Sequence, residues 1–129
     1  MKPPRSKTVL VIEDDPGLQS TLILVLEEAG YSVRACASAQ DGLALATAFH
    51  PTLIICDVHL AEGDGRKLLE SIRQDATLAD CQFVMMTGDW VGASQQTSVK
   101  LEADSYLAKP FTVEEFNRCV EEQFRQANL

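Results

Sequence analysis

Residues 8–16 read TVLVIEDDP, and this stretch decides the fold. It begins with Thr8–Ile12, a continuous apolar run rich in β-branched side chains, which predicts a strand buried on both faces. A run of acids follows, and Asp15-Pro16 is typical of a helix N-cap with proline at the first helical position. A buried strand that leads through polar residues directly into a helix is the opening of a βα unit.

The same alternation of apolar runs and amphipathic stretches continues along the chain. Further strands are predicted over residues 32–36, 52–56, 82–87 and 105–108. Helices are predicted from 16 to about 29, from 39 to near 50, over 65–74, weakly over 92–101, and from 113 to about 125. Strands that alternate with helices imply right-handed βαβ units and a parallel sheet covered on both faces. We therefore predict an α/β fold, a flavodoxin-like doubly wound sheet of order 2-1-3-4-5 with five helices.

Size and composition are those of one globular domain. The chain has 129 residues, of which 46% are hydrophobic and 23% charged. We expect an N-terminal arm over 1–7, one domain over 8–126 and a tail over 127–129. No apolar run approaches the roughly 18–20 residues that span a bilayer, so we expect a cytoplasmic protein without a membrane partner. The net charge of −8 disfavours a direct nucleic-acid partner, because phosphate neutralisation needs a basic patch.

The cysteines predict free thiols rather than disulfides. They are widely separated and form no CxxC pair: Cys36, Cys56, Cys81 and Cys119. Cys56 belongs to an apolar strand pattern, and the chain is not a short secreted scaffold. We expect buried thiols in a reducing cytoplasm.

Polar residues interrupt the apolar runs at the carboxyl ends of the predicted strands. Glu13 and Asp14 follow the first strand, Asp57 the third, Thr87 closes the fourth, and Lys109 follows the fifth. In a doubly wound sheet the reactive crevice lies beyond these ends, at the switch point between strands one and three. Carboxylates, a hydroxyl and an ammonium group are therefore expected to converge at one edge of the sheet.

These groups suit phosphoryl transfer. Clustered carboxylates repel one another unless a cation joins them, and oxygen ligands favour Mg²⁺ over softer metals. The metal and an ammonium group would neutralise phosphoryl oxygens, while a hydroxyl would donate a hydrogen bond to another. The remaining carboxylate would be the nucleophile and form an acyl phosphate.

Four segments carry a resemblance to the receiver domains of two-component response regulators. They are VLVIEDDP over 9–16, IICD over 54–57 with the later DG at 64–65, VMMTG over 84–88, and SYLAKPF over 105–111. Each motif is short, but their order and spacing make the resemblance specific, and it covers about residues 8–125. The resemblance implies a signalling switch that a sensor histidine kinase or histidine phosphotransfer protein phosphorylates.

The family's site residues carry over onto matching positions. The resemblance implies that Asp57 is the phospho-acceptor and that Asp14 ligates Mg²⁺ directly, with Glu13 acting mainly through water. The backbone carbonyl of His59 would complete the protein's share of the metal shell, and Lys109 would pair with the phosphoryl group. The imidazole of His59 either touches the rim of the phosphoryl site or is a passive exposed group.

The resemblance also implies a relay away from the site. Thr87 would move toward the phosphoryl group, and Tyr106 would change rotamer with it, although a half-buried packing role is the alternative for this tyrosine. The Lys109-Pro110 peptide bond is usually cis in the family. The output surface would combine the helix over 92–101, the strand over 105–108 and the last helix, and would meet a downstream protein or an attached output domain.

The first helix is the expected docking surface for the phosphoryl donor. At about 100° per residue its buried face should consist of Leu18, Leu22, Val25 and Ala29. Thr21 and Leu24 then lie toward the outer edge beside Leu18. Because the resemblance implies that this helix faces the histidine-bearing partner, we expect this edge to meet the donor.

Three positions depart from the family or stand apart. Ala61 occupies a position where proline is common, and Glu102 one where glycine often precedes the fifth strand. Trp90 lies in the segment after Thr87, where it would either sense the switch or anchor the helix over 92–101.

Two other functions compete with a phosphorylation switch. One is an enzyme that forms an aspartyl phosphate, similar to the haloacid-dehalogenase class, but His59 stands where that class has its second acid and no cap domain is visible. The other is a degenerate receiver that acts as a constitutive interaction module, against which the complete set of acids, hydroxyl and lysine argues. The sequence leaves open whether the chain is a stand-alone receiver or part of a longer regulator or hybrid kinase.

Overall fold

The computed structural model describes residues 7–88 and 103–128. Its strands are β1 (Thr8–Ile12), β2 (Ser32–Cys36), β3 (Leu53–Asp57), β4 (Gln82–Thr87) and β5 (Ser105–Ala108). They form one parallel sheet in the order β2-β1-β3-β4-β5. The described helices are α1 (Pro16–Glu28), α2 (Ala39–Phe49), α3 (Gly65–Gln74) and α4 (Val113–Ala127). The predicted α/β class and strand order are confirmed.

Several sequence predictions fall outside the described residues. The helix expected over 92–101, Trp90, Glu102 and most of the arm over 1–7 belong to this group. The described part therefore contains four of the five expected helices.

The sheet is buried on both faces because alternate residues of its strands enter different hydrophobic clusters. In β1, Leu10 and Ile12 join a cluster with residues of α2 and α3, whereas Val9 and Val11 join one with residues of α1 and α4. All four side chains are fully buried. This two-sided packing explains why the central strands appear in the sequence as continuous apolar runs.

Side-chain hydrogen bonds cap the N-termini of α1 and α4. The Asp15 carboxylate accepts from the Gly17 amide at the start of α1, as an N-cap does. Thr112 and Glu115 form both bonds of a capping box at the start of α4. The chain leaves α1 through Gly30, whose positive φ of 98° is readily adopted by glycine. Within 7–88 and 103–128, no helix is both long and apolar enough to cross a membrane.

The structure corrects the predicted buried face of α1. Leu26 is fully buried and Leu22 is 2% exposed, whereas Ala29 is the exposed C-cap residue. Leu18 and Val25 are half-buried at the flank of this face. The buried face of α1 is centred on Leu22 and Leu26, because these two side chains pack in one hydrophobic cluster with residues of β1 and α4.

Two element ends also differ from the prediction. β3 is shifted by one residue and includes Asp57, because Asp57 pairs with Met86 of β4. α4 continues through Ala127, beyond the predicted end near Arg125.

The four cysteines are free thiols, as predicted, but only Cys56 and Cys81 are buried, whereas Cys36 and Cys119 are half-buried. Cys36 and Cys56 both lie opposite Ile12 in the sheet, on strands either side of β1. Two strand spacings separate their Cα atoms by about 9.6 Å, which is too far for a disulfide. Burial raises the pKa of the Cys56 thiol far above its ordinary value, so this thiol stays protonated.

Candidate functional site

Three carboxylates meet at the carboxyl ends of β1 and β3. Glu13 and Asp14 follow β1, and Asp57 ends β3. One oxygen from each lies within 4.8 Å of the others. Glu13 is 1% exposed and Asp57 6% exposed, so two of these acids are removed from water. Such a group is costly to keep ionised without a cation.

Lys109 supplies a positive charge to this cluster. Its Nζ donates to Asp57 Oδ2 at 2.6 Å and to Glu13 Oε1 at 3.0 Å. Burial by itself would lower the pKa of Lys109, but the hydrogen bonds and charges of Asp57 and Glu13 outweigh it and raise the pKa. The ammonium group is therefore charged across the physiological pH range. The peptide bond that follows, Lys109-Pro110, is cis.

Burial acts strongly on the carboxyl group of Glu13. Burial raises the pKa of its carboxyl, and the nearby charge of Asp57 adds to this effect. The hydrogen bonds from Lys109 and from the Asp15 amide lower the pKa but do not cancel the effect of burial. A divalent cation at the cluster would oppose that rise, since it favours the ionised form.

Asp57 is held from two directions. The His59 amide donates a hydrogen bond to Asp57 Oδ1 at 3.0 Å, and Lys109 Nζ donates one to Asp57 Oδ2. Behind it, Gly65 opens α3 so close to the strand that an added Cβ would lie 2.4 Å from the Asp57 carbonyl oxygen. The glycine at 65 thus allows α3 to begin directly against the end of β3.

Two contacts that the sequence did not predict fix the loops around the acids. The Gln19 side chain donates to the carbonyl oxygens of Glu13 and Cys36, which ties the ends of β1 and β2 together. The Ala61 amide donates to Asp14 Oδ2 at 2.6 Å, across 47 residues of sequence. Neither residue type is characteristic of an active site, and although Ala61 stood out in the sequence, nothing there indicated a contact with Asp14.

The predicted switch residues lie on β4 and β5, which are neighbours at one side of the sheet. Thr87 ends β4, is 8% exposed, and its carbonyl accepts from the Lys109 amide at 2.8 Å. Tyr106 lies on β5 and is 36% exposed. It lines a surface groove of about 320 Å³ between β5 and α4. Their roles in switching stay predictions.

The cluster fits a hard divalent cation. Its three candidate ligand groups are all carboxylates, which Mg²⁺ prefers to the sulfur and imidazole ligands typical of zinc. Two of the acids are buried and share one lysine, so a cation would find more negative than positive charge there. Oxygen ligands, an ammonium group and a buried hydroxyl at one edge of a parallel sheet can together stabilise a phosphoryl group.

Comparison with known proteins identifies the family. Residues 9–121 match the family described as response regulator receiver domain. The chain belongs to this family. Receiver domains are the phosphorylation switches of two-component systems, regulatory modules rather than enzymes in the usual sense, and they bind Mg²⁺ in the active site.

Named relatives agree with this assignment. The receiver domain is 37% identical over 109 residues to the DNA-binding dual master transcriptional regulator RpaA of Synechocystis sp.. The aligned region covers 83% of this chain and 44% of RpaA. It is similar to a response regulator receiver domain protein (CheY-like) from Methanospirillum hungatei, with a TM-score of 0.86, 25% identity, and coverage of 95% of this chain and 97% of that one.

A further structure shares the fold alone. The receiver domain of sensor histidine kinase PA1611 from Pseudomonas aeruginosa, with a magnesium ion coordinated in its active site cleft, superposes with a TM-score of 0.84 at 22% identity. The match covers 94% of this chain and 99% of that chain.

The relatives correct the expectation of no direct nucleic-acid partner. RpaA is a DNA-binding regulator by name, so the prediction drawn from net charge was wrong. The receiver domain spans 44% to 61% of the first four curated relatives. The charge of such a segment describes that segment and does not exclude a DNA-binding protein around it.

The residues predicted to meet the phosphoryl donor lie beside the site. Leu24 of α1 is 56% exposed, Thr21 is exposed, and Leu18 is half-buried. Leu18 also lines a groove of about 490 Å³ whose other lining residues are Asp15, Gly88, Lys109, Pro110 and Phe111. Leu18 of α1 and Lys109 thus line the same groove. The role of α1 in docking the donor stays a prediction.

Proposed function

We propose that this receiver domain accepts a phosphoryl group on Asp57 from a sensor histidine kinase or a histidine phosphotransfer protein, with Mg²⁺ bound beside it. The observation that supports this most directly is the pair of bonds from Lys109 to the buried carboxylates of Asp57 and Glu13. Membership of the receiver family and the proximity of the three carboxylates also support the proposal.

The proposed transfer is a displacement at phosphorus. An oxygen of the ionised Asp57 carboxylate attacks the phosphorus of a phosphohistidine and forms an O–P bond. The N–P bond breaks, and its electron pair returns to the imidazole nitrogen of the donor. Lys109 pairs with the phosphoryl oxygens, and the Thr87 hydroxyl donates a hydrogen bond to one of them.

Asp14 and Asp57 would hold the metal directly, with Glu13 acting mainly through water and the His59 carbonyl completing the protein's ligands. Mg²⁺ in that place would neutralise charge that develops on the phosphoryl oxygens. The proximity of the three carboxylates supports this ligand set. The imidazole of His59 is exposed, and we assign it no role in the transfer.

The output is proposed to pass through Thr87 and Tyr106. Movement of Thr87 toward the phosphoryl group would change the rotamer of Tyr106 and the surface of β5, α4 and residues 92–101. A downstream protein or an attached output domain would respond to this change, and the name of RpaA places a DNA-binding output among the candidates. We propose the cytoplasm as the compartment, since the thiols are free.

Acyl-phosphate labelling tests the proposal. The protein is incubated with acetyl phosphate with and without Mg²⁺, and its intact mass is measured. We expect one added phosphoryl group, only with Mg²⁺, and none on the Asp57→Asn variant. Asp15→Asn is the matched control, because asparagine also caps a helix and Asp15 serves as the N-cap of α1. Equal labelling of the Asp57→Asn variant would contradict the assignment.

A further inference from the structure

The loop between β3 and α3 donates a hydrogen bond to one of the proposed metal ligands. The Ala61 amide nitrogen lies 2.6 Å from Asp14 Oδ2. A hydrogen bond from a backbone amide to an ionised carboxylate is charge-assisted. Such hydrogen bonds are shorter and stronger than those between neutral groups. Lys109 restrains Glu13 and Asp57, whereas the bond from Ala61 restrains Asp14.

The donor is itself held in place. The Glu62 carbonyl accepts from the Ala39 amide at 3.2 Å, which joins the loop to the start of α2. At Gly63, which has a φ of 104°, an added Cβ would lie 2.6 Å from the Ala39 Cβ. The loop therefore presents the Ala61 amide from a fixed backbone rather than from a side chain that rotates.

The residue at position 61 decides whether this donor exists. Alanine has a backbone N–H, whereas proline has none. A chain with proline at 61 would leave Asp14 Oδ2 without this bond.

We propose that the Ala61 backbone amide positions the Asp14 carboxylate for Mg²⁺ and thereby strengthens metal binding. This inference rests on the proposed function, in which Asp14 ligates the metal. A carboxylate that is already oriented loses less side-chain freedom when the ion binds. Its oxygens can accept more than one bond, so the amide and the metal need not compete for the same lone pair. Ala61 is a positioning residue and takes no part in the phosphoryl transfer.

Mg²⁺ titration of an Ala61→Pro variant tests the effect on affinity, with Ala61→Gly as the matched control that keeps the donor. Partners that orient a metal ligand typically change affinity by about 10–100-fold, and we expect the lower end, roughly tenfold weaker binding for Ala61→Pro. Ala61→Gly should bind within about twofold of wild type. Asp57 labelling of Ala61→Pro should reach the wild-type extent once Mg²⁺ saturates. Equal affinity of Ala61→Pro and wild type would overturn the proposal.

Amide hydrogen exchange on the wild-type protein provides a test that needs no folded variant. Ala61 is exposed, so its amide should exchange rapidly unless the bond to Asp14 protects it. We expect protection both without Mg²⁺ and at saturating Mg²⁺. An unprotected amide, or protection that disappears when Mg²⁺ binds, would overturn the proposal. Wild-type protein that binds no Mg²⁺ would instead remove the metal site of the proposed function, and this inference with it.

Discussion

The Nζ atom of Lys109 lies 2.6 Å from Asp57 Oδ2, and the two residues are 52 positions apart in the sequence. The same nitrogen reaches Glu13, so one cation is shared by two buried acids. This lysine is thus a counter-ion of the cluster, and we propose that it also pairs with a phosphoryl group on Asp57.

Replacing Lys109 should destabilise the metal-free protein. Lys109→Met leaves two buried carboxylates without their cation, and breaking a buried ion pair in this way costs about 3 kcal/mol. We expect the free energy of unfolding in urea with EDTA to fall by up to that amount at pH 7, and Mg²⁺ to recover part of it. Lys67→Met, at an exposed lysine of α3, is the control and should change little. A Lys109→Met variant as stable as wild type in EDTA would disprove this role.

Glu13 should make the stability of the metal-free protein depend on pH. Burial raises its pKa above the ordinary 4.5, so the folded state binds more protons than the unfolded state between the two values. The contribution of Glu13 is therefore fully present below pH 4.5 and is lost as pH rises through the folded-state pKa. Wild type should lose stability relative to Glu13→Gln over that range in EDTA. A difference that stays constant with pH, or that grows in favour of wild type, would contradict the buried-acid account.

Magnesium should stabilise the protein through Asp14. A ligand at about 100 times its dissociation constant adds about 2.7 kcal/mol to the free energy of unfolding. We expect a corresponding Mg²⁺-dependent rise in the melting temperature of wild type and of Asp15→Asn, but a much smaller one in Asp14→Ala. If Asp14→Ala keeps the wild-type affinity for Mg²⁺, Asp14 is not a metal ligand.

The exposed edge of α1 should affect transfer from a protein donor only. Thr21→Glu and Leu24→Glu place charge on the proposed docking edge, so transfer from a phosphohistidine protein should slow by about tenfold, a loss of about 1.4 kcal/mol. Labelling by acetyl phosphate should not change. Thr47→Glu is a matched control, since the hydroxyls of Thr47 in α2 and Thr21 in α1 each donate to a carbonyl of the preceding turn and both residues are exposed. Loss of both reactions would indicate misfolding. Unchanged transfer from the protein donor would show that this edge of α1 is not the docking surface.

The corrected core face of α1 can be measured directly. Leu26→Ala removes a fully buried side chain and should lower the free energy of unfolding by about 2–5 kcal/mol. Ala29→Ser changes an exposed cap position and should stay within about 0.5 kcal/mol of wild type. Similar decreases in the free energy of unfolding at the two positions would instead support the buried face predicted from periodicity.

Most of the fold could be predicted because its signals are local. The run Thr8–Ile12 is apolar throughout, since it is buried on both faces, and the acids that end it mark the edge where the site lies. Thr112 and Glu115 begin α4 through contacts within one turn. Strand order followed from the regular alternation of strands and helices, which permits few topologies.

By itself, the sequence determined the strands, their order and the residue types that meet at the sheet edge, because periodicity and capping depend on neighbours within a few positions. Only the tertiary structure decided that Leu26 rather than Ala29 enters the core and that the Ala61 amide meets Asp14. It also decided that Gln19 ties together the ends of β1 and β2. These contacts join residues far apart in the chain or depend on how a helix rotates against the sheet, and packing alone sets both.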